Sequence, residues 1–261
     1  MKKTKNFVVP KVRQTILFIG LLIFLLVLAG LIIKTLLILN KSSVNPHHQF
    51  ILQIMNQQQN ILVVFSLDTG NMMEVFLQNS HGLITKQLSI PVDGTVHNID
   101  PNSDITRNLL FHFHDSNATI TIFDALQLFF FSHTISSDNI HKDTIILPAS
   151  DAVSQQQIAK DFQDTTLYKE NKSIAIVNAT GISGLGTMLA TLLSHIGANV
   201  ISVTTAQQNK ASSVILYNGE QSYTLQRMEH ILRFQLQQTN TPSLADITIT
   251  IGTKEGKNMM Q

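Results

Sequence analysis

The sequence predicts an α/β (α+β) protein: an N-terminal transmembrane helix followed by two small mixed α/β modules. Three observations lead there. Residues 16–33 form a run without a charged side chain. Short aliphatic runs such as 61–65 (ILVVF) and 72–77 (MMEVFL) flank an Asp-Thr-Gly-Asn turn cluster and read as strands. The last part of the chain alternates strand and helix patterns in the order β-α-β-β-α-β.

At 1.5 Å per residue, roughly 18–20 apolar residues cross a ~30 Å hydrocarbon core, so a helix over 15–39 spans with tilt to spare. Lys34 near its far end can snorkel to the headgroups. Residues 1–14 carry Lys2, Lys3, Lys5, Lys11 and Arg13 and no acid, whereas Lys34 and Lys41 are the only nearby cations beyond the run. The positive-inside rule puts this basic tip in the cytoplasm and everything after about residue 40 outside. A cleaved signal peptide is the rival, but its apolar region is usually ~7–15 residues long and ends at a small-x-small site. Residues 36–43 offer no such site, and an uncleaved single-pass signal-anchor in the cell membrane is expected.

Composition excludes several functions. The chain has no cysteine, which removes disulfides, thiolate-ligated zinc and thiol catalysis. The net charge is +1, and much of the basic excess sits in the tip. No dense basic patch supports nucleic-acid binding. No cofactor motif is present.

Residues 40–59 are polar with an apolar island and read as a stalk, with Phe50, Ile51, Ile54 and Met55 on one face of a short helix. A middle module follows over 60–150. Strands are expected at 61–65, 72–77 and 84–90, the last stopped by Pro91, and at 143–147. A helix over about 119–132, capped from Asp115-Ser116-Asn117, would place Ile120, Phe123, Leu126, Phe130 and Phe131 inward. A strand at 119–123 is the alternative. Residues 151–172 read as a linker in which Ile158, Phe162 and Leu167 pack as one or two helical turns.

The C-terminal module over 173–253 begins with a strand at 173–177 and a turn at 178–181. A helix over 184–196 turns Leu185, Met188, Leu189, Leu192 and Leu193 inward and stops at Gly197. Strands at 199–204 and 214–217, a helix over 223–238 and a closing strand at 246–251 complete it. The tail, 254–261, reads as disordered.

Candidate ligand-binding residues are Asn178, Thr180, Gly181, Ser183, Gly184 and Gly186, in a glycine-rich strand-to-helix turn. Such a turn can present backbone N–H groups to an anion. It matches neither the dinucleotide order Gly-x-Gly-x-x-Gly nor a P-loop; tight turning and close helix packing account for its glycines without a ligand, which is the favoured reading. His112 and His114 alternate around Phe113 and are weak metal candidates, lacking a third ligand at suitable spacing. A solvent-facing edge over a phenylalanine core explains them as well. Asp93, Asp100 and Asp104 lie in a turn-rich loop without the order of a calcium loop. Phe129-Phe130-Phe131 reads as core, or as a patch on a membrane or partner.

The segments IAIVNATGISGLGTMLATLLSHIGANVISV, VILYNGE and ADITITIGT resemble the LytR C-terminal domain family. The elements that carry the resemblance are Val177-Asn178-Ala179-Thr180-Gly181, Gly184-Leu185-Gly186 and the strand from Ala245 to Gly252. That resemblance implies an exported module behind an anchor in a bacterial cell-envelope protein. The middle module is similar at two places to the catalytic domain of the LytR-CpsA-Psr family, which transfers phosphate-linked glycopolymers to the cell wall: Asn60 to Val64, and Leu88-Ser89-Ile90-Pro91-Val92-Asp93. Asn60 stands where that family has a metal-binding carboxylate, and Val92 where it has an arginine. Asp93 and Arg107 are the motif remnant, and Arg107 is the only arginine between residues 60 and 150. A truncated, non-catalytic relative and an unrelated small domain both stay open.

The resulting expectation is an extracytoplasmic, non-catalytic binding or scaffold protein in cell-wall assembly or maintenance. Its partners would be the lipid bilayer, through residues 15–39, and a cell-wall polymer or another envelope protein. A glycopolymer phosphotransferase and a membrane-bound metal or small-ligand sensor are the alternatives.

Overall fold

The computed structural model describes residues 11–39, 42–45, 48–56, 60–80, 84–99, 104–111, 113, 117–149, 151–241 and 243–260. The chain divides into two units, residues 1–42 and 43–261. In the first, helix α1 (Lys11–Leu39) is apolar on every side over residues 16–33, with a mean hydropathy of 3.3 over Ile16–Thr35. Its one hydroxyl near the far end, on Thr35, donates back to the Leu31 carbonyl at 2.9 Å, so it adds no unsatisfied group.

The second unit opens with β1 (Gln49–Met55), β2 (Asn60–Ser66) and β3 (Asn71–Gln78), an antiparallel meander. The strand β1 corrects the expected stalk. Phe50, Leu52 and Ile54 enter one core and Ile51 the other. An apolar run of this length serves a doubly buried strand as readily as one face of a short helix. The expected strand at 84–90 is instead a single helical turn, α2 (Thr85–Leu88), ended by Ser89 in the left-handed region. Strand β4 (Gly94–His97) then pairs parallel with β1. Gly94 is required there, because a Cβ would collide with Ile120.

Helix α3 (Ile105–Phe111) precedes α4 (Ile122–Thr134). The start of α4 is fixed by a capping box: Thr121 Oγ1 accepts from Asp124 N, and Asp124 Oδ2 accepts from Thr121 N at 2.7 Å. The expected caps at 115–117 and the strand alternative at 119–123 therefore give way to a start at Thr121. Thr119 remains outside the helix, donating its N–H to the Thr95 carbonyl. The inner face is also rotated from expectation. Asp124, Ala125 and Leu128 are buried, while Ile122, Leu126 and Phe130 are exposed. Phe131 packs on the core and Phe130 does not, so the phenylalanine triplet is split. Strand β5 (Ile140–Ile146) pairs parallel with β3, giving the order β4-β1-β2-β3-β5.

The expected linker is packed. Helices α5 (Ala152–Asp161) and α6 (Thr165–Glu170) start at the caps Asp151 and Asp164. Ile158 and Phe162 complete the core on the α2 side of the first sheet, and Leu167 joins the core of the second. That second sheet contains β6 (Ser173–Asn178), then α7 (Leu185–His195), β7 (Asn199–Thr205), β8 (Val214–Tyr217), α8 (Tyr223–Leu232), β9 (Gln235–Gln238) and β10 (Ile247–Ile251). Its order is β7-β6-β10-β8-β9, with β10 parallel to β6 and antiparallel to β8. Leu189 and Leu193 of α7 and Leu225 and Met228 of α8 meet Ile174, Ile176, Ile215 and Ile249 beneath them.

Two expectations fail in this part. The helix over 223–238 ends at Leu232, where Arg233 turns left-handed, and Gln235–Gln238 becomes β9 beside β8. The tail is not disordered over its described part: α9 (Thr253–Met260) is docked by Glu255, whose carboxylate accepts from Ser213 N and Oγ at 2.9 and 3.0 Å. Gln261 lies outside the described residues.

One packing detail carries a measurable cost. Burial and the neighbouring Asp143 carboxylate push Asp161 from its ordinary value near 3.8 up to about 6. Between those values the native state holds a proton that the unfolded chain has released, so stability falls as pH rises through the window. Asp161→Asn supplies a permanent amide N–H to Asp143. Thermal melts should show the variant more stable than the parent by about 1–2 kcal/mol at pH 7, with the gain absent at pH 4; an equal gain at both would show that the carboxylate pair imposes no such cost.

Candidate binding cleft

The loop from Asn178 to Gly186 connects β6 to α7, and its polar side chains turn inward. Asn178 Oδ1 accepts from Thr180 N at 3.1 Å and Thr180 Oγ1 at 2.7 Å, while Asn178 Nδ2 donates to the Ile182 carbonyl at 2.7 Å. Ile182 N donates to Thr180 Oγ1 at 2.9 Å. Both Asn178 and Thr180 are buried. They brace the loop, and its backbone is tied further by Ala179, whose N–H donates to the Ile251 carbonyl at 3.0 Å and whose carbonyl accepts from Lys210 N at 2.8 Å. Gly181 and Gly184 have φ of 75° and 81°, which residues with a Cβ rarely adopt. Gly186 sits closely under Val203.

Ser183 and Gly184 line a cleft of about 720 Å³. Its walls come from the segment after α2 (Ser89 to Asp93), the start of α7 with Met188 and Leu192, the end of α8 from His230 to Phe234, and Met259 of α9. Most of the lining is apolar. The polar groups are Ser89, Asp93, Ser183, His230 and Arg233, together with the start of α7, where Gly184 supplies no side-chain cap. Such a cleft suits an apolar ligand or segment carrying a polar group at one end.

Asp93 lies at the base and is held from both sheets. Its Oδ2 accepts from Ile51 N at 2.8 Å and from Arg227 Nη2 at 3.2 Å; Oδ1 accepts from Arg227 Nη1 at 3.1 Å and faces His230 Nε2 at 3.2 Å. Arg227 is fully buried, and its Nε lies 3.7 Å from Asp164 Oδ2. Asp164 Oδ2 also accepts from Tyr223 Oη at 2.5 Å, and Oδ1 caps Leu167 N at 3.0 Å. Burial pushes the Asp93 carboxyl up, but Arg227 and His230 more than offset this and hold it well below the usual carboxylate range. Burial pulls the guanidinium down, and Asp93 and Asp164 reverse that. His48 stacks edge-on against Tyr223 at 5.0 Å; burial, Arg227 and His230 lower it to about 4, so it is neutral at pH 7.

Of the six loop residues singled out from sequence, two line the cleft and four shape the loop. Asp93 joins Ser183 and Gly184 at the cleft, whereas Arg107 does not. It is exposed on α3, stacked over Phe111 with 5.9 Å to the ring centroid. His112 and His114 lie outside the described residues, as does Asp100. Among the described residues no group of three or more His, Asp or Glu side chains is placed to hold a metal ion. Arg227, Asp164, Tyr223 and His230 were not anticipated from sequence. The only local signal was an arginine directly before Met228, beside the apolar face of a helix.

Residues 171–254 match the LytR_C family model, described as LytR cell envelope-related transcriptional attenuator. The match spans β6 to the start of α9, so it supplies the α7 and α8 walls of the cleft but not the Ser89–Asp93 wall. No curated protein and no solved structure matches the chain.

Removing one member of a buried ion pair strands the other. Arg227→Met should lower stability by about 3–5 kcal/mol, read from the urea midpoint, because Asp93 and Asp164 lose their counter-charge. Arg227→Met/Asp93→Asn should cost at least about 1.5 kcal/mol less than the sum of its single variants. Additive costs would show that the two side chains are not energetically paired.

Proposed function

We propose that this chain is a single-pass membrane protein of the bacterial cell envelope. Its basic tip lies in the cytoplasm and residues beyond about 40 lie outside. There it acts as a non-catalytic binding or scaffold protein in cell-wall assembly or maintenance. The LytR_C match makes the protein envelope-related, and the N-terminal apolar helix fits anchoring. The observation that carries the binding reading is the cleft, in which the LytR_C-like module meets Asp93, just before β4, over an apolar lining.

The state of Asp93 weighs against the phosphotransferase alternative. Both its oxygens are engaged by Arg227, His230 and Ile51 N, which leaves little of the carboxylate for a metal. Phosphoryl transfer needs cations gathered around the migrating group. Here the guanidinium nearest to Asp93 is sealed within the fold, which leaves Arg233 as the single guanidinium in the cleft lining, and Arg107 is not part of that lining.

Two measurements test the proposal together. External protease on intact cells should digest residues beyond about 40; protection would overturn the exported topology. Full-length protein in nanodiscs should retain purified wall polymer, and Met188→Trp, which narrows the cleft, should lower retention at least tenfold without lowering the melting temperature. Retention unchanged by Met188→Trp would remove the cleft from the binding reading.

A further inference from the structure

The cleft holds one cation that has no counter-charge among the described residues. Asp93 at its base is committed to Arg227 and His230. Arg233 also lines the cleft, is exposed, and enters none of the ion pairs among the described residues. Its backbone is held in the left-handed region, with φ of 55°, and its N–H donates to the Glu229 carbonyl at 2.7 Å. A guanidinium is a planar fork that matches a carboxylate through two parallel hydrogen bonds. One guanidinium balances one negative charge, whereas a pyrophosphate calls for several cations.

The rest of the lining decides what that carboxylate is attached to. Met188, Leu192, Ile231 and Met259 call for apolar side chains, and the methionines adapt to varied shapes. Polar groups are nevertheless spread over separate walls. The hydroxyls of Ser89, after α2, and Ser183, before α7, have no hydrogen-bond partner among the described residues. The first helical bond of α7 runs from Met188 N to the Gly184 carbonyl at 2.9 Å, and Gly184 has no side chain to cap the N–H groups that precede it. A fatty acid, with its single polar end, would strip these groups of water and leave them unpaired. A peptide brings a backbone amide about every 3.5 Å and can meet polar groups on several walls while its side chains fill the apolar surface. Capture of a terminal carboxylate beside backbone N–H groups is an established mode of peptide recognition.

We propose that the cleft takes the C-terminal end of an apolar peptide from a partner protein, with its side chains against Met188, Leu192, Ile231 and Met259 and its α-carboxylate paired with Arg233. This rests on the binding reading above and deepens it. Full-length protein in phosphatidylcholine nanodiscs would be offered a pool of fluorescein-labelled peptides, Ser-Gly-Ser followed by four positions drawn from Ala, Val, Leu, Ile, Met and Phe. One pool ends in a free carboxylate and a second pool is amidated. After subtraction of empty nanodiscs, the free-carboxylate pool should be retained at least fivefold over the amidated one. Arg233→Asn removes the cation with a residue that tolerates the left-handed backbone, and should bring the free pool down to the amidated level without lowering the melting temperature. Met188→Trp should lower retention of both pools. Equal retention of the two pools, or a free pool indifferent to Arg233→Asn, would overturn the carboxylate site and leave an apolar cleft. Retention of neither pool, with wall polymer still held and still lost on Met188→Trp, would overturn the peptide ligand and leave the binding reading standing. Retention of neither pool and no polymer would overturn both.

Discussion

Arg227 has no exposed surface, yet it carries a charge that cannot be shed, and its position governs much of residues 43–261. Burying a guanidinium is tolerable only where carboxylates and hydrogen bonds replace its hydration. The replacements come from separate places: Asp93 from the segment joining α2 to β4, and Asp164 from the turn between α5 and α6. Tyr223 and Ile51 complete the set, so both sheets are bonded to one charged centre. The two halves are thereby held in register by directional contacts, which apolar burial alone does not provide. His195 adds a further link, its Nδ1 lying 2.9–3.0 Å from the Leu88 and Ser89 carbonyls.

The cleft follows from that register. Once Asp93 is drawn to α8, the Ser89–Asp93 segment stands opposite the start of α7 and forms a wall the C-terminal module lacks by itself. Polar groups that could have faced a ligand are committed elsewhere: Asn178 and Thr180 to the loop, Asp93 to Arg227. What remains toward the opening is apolar surface, the Ser89 and Ser183 hydroxyls, the His230 imidazole, the Arg233 guanidinium and backbone at a helix start. These groups suit the recognition of a ligand, the role proposed above for this envelope-related module.

Much of the C-terminal fold was legible from residue order. Alternation in 173–178 and the leucine spacing of 185–193 left one choice each, and Gly197 marked a stop. Less was legible in the middle. Residues 50–55, 84–90 and 122–131 are apolar at spacings that satisfy both a helix and a strand, or two faces of one helix. For α4 the choice of face was settled by Asp124, whose carboxylate caps its own helix and binds Ser43 and Val44 some 80 residues away in sequence. The α8 boundary was similar: Leu236 continues the helical period, but pairing of β9 with β8 recruits it to a sheet edge.

The sequence by itself determined the apolar N-terminal helix, the strand-and-helix order of most of the LytR_C-like module and the strand-to-helix loop with its glycines. These depend on local periodicity and on residues whose backbone preferences act over a few positions. The tertiary structure alone decided that the supposed stalk is a central strand and that the supposed linker closes a core. It also decided that Asp93 faces Arg227 and that α4 presents Ile122, Leu126 and Phe130 outward. Each of these depends on groups far apart in the chain meeting in space. No local pattern encodes the partner of a buried charge; only the closing of both sheets around Arg227 brings Asp93 and Asp164 to it.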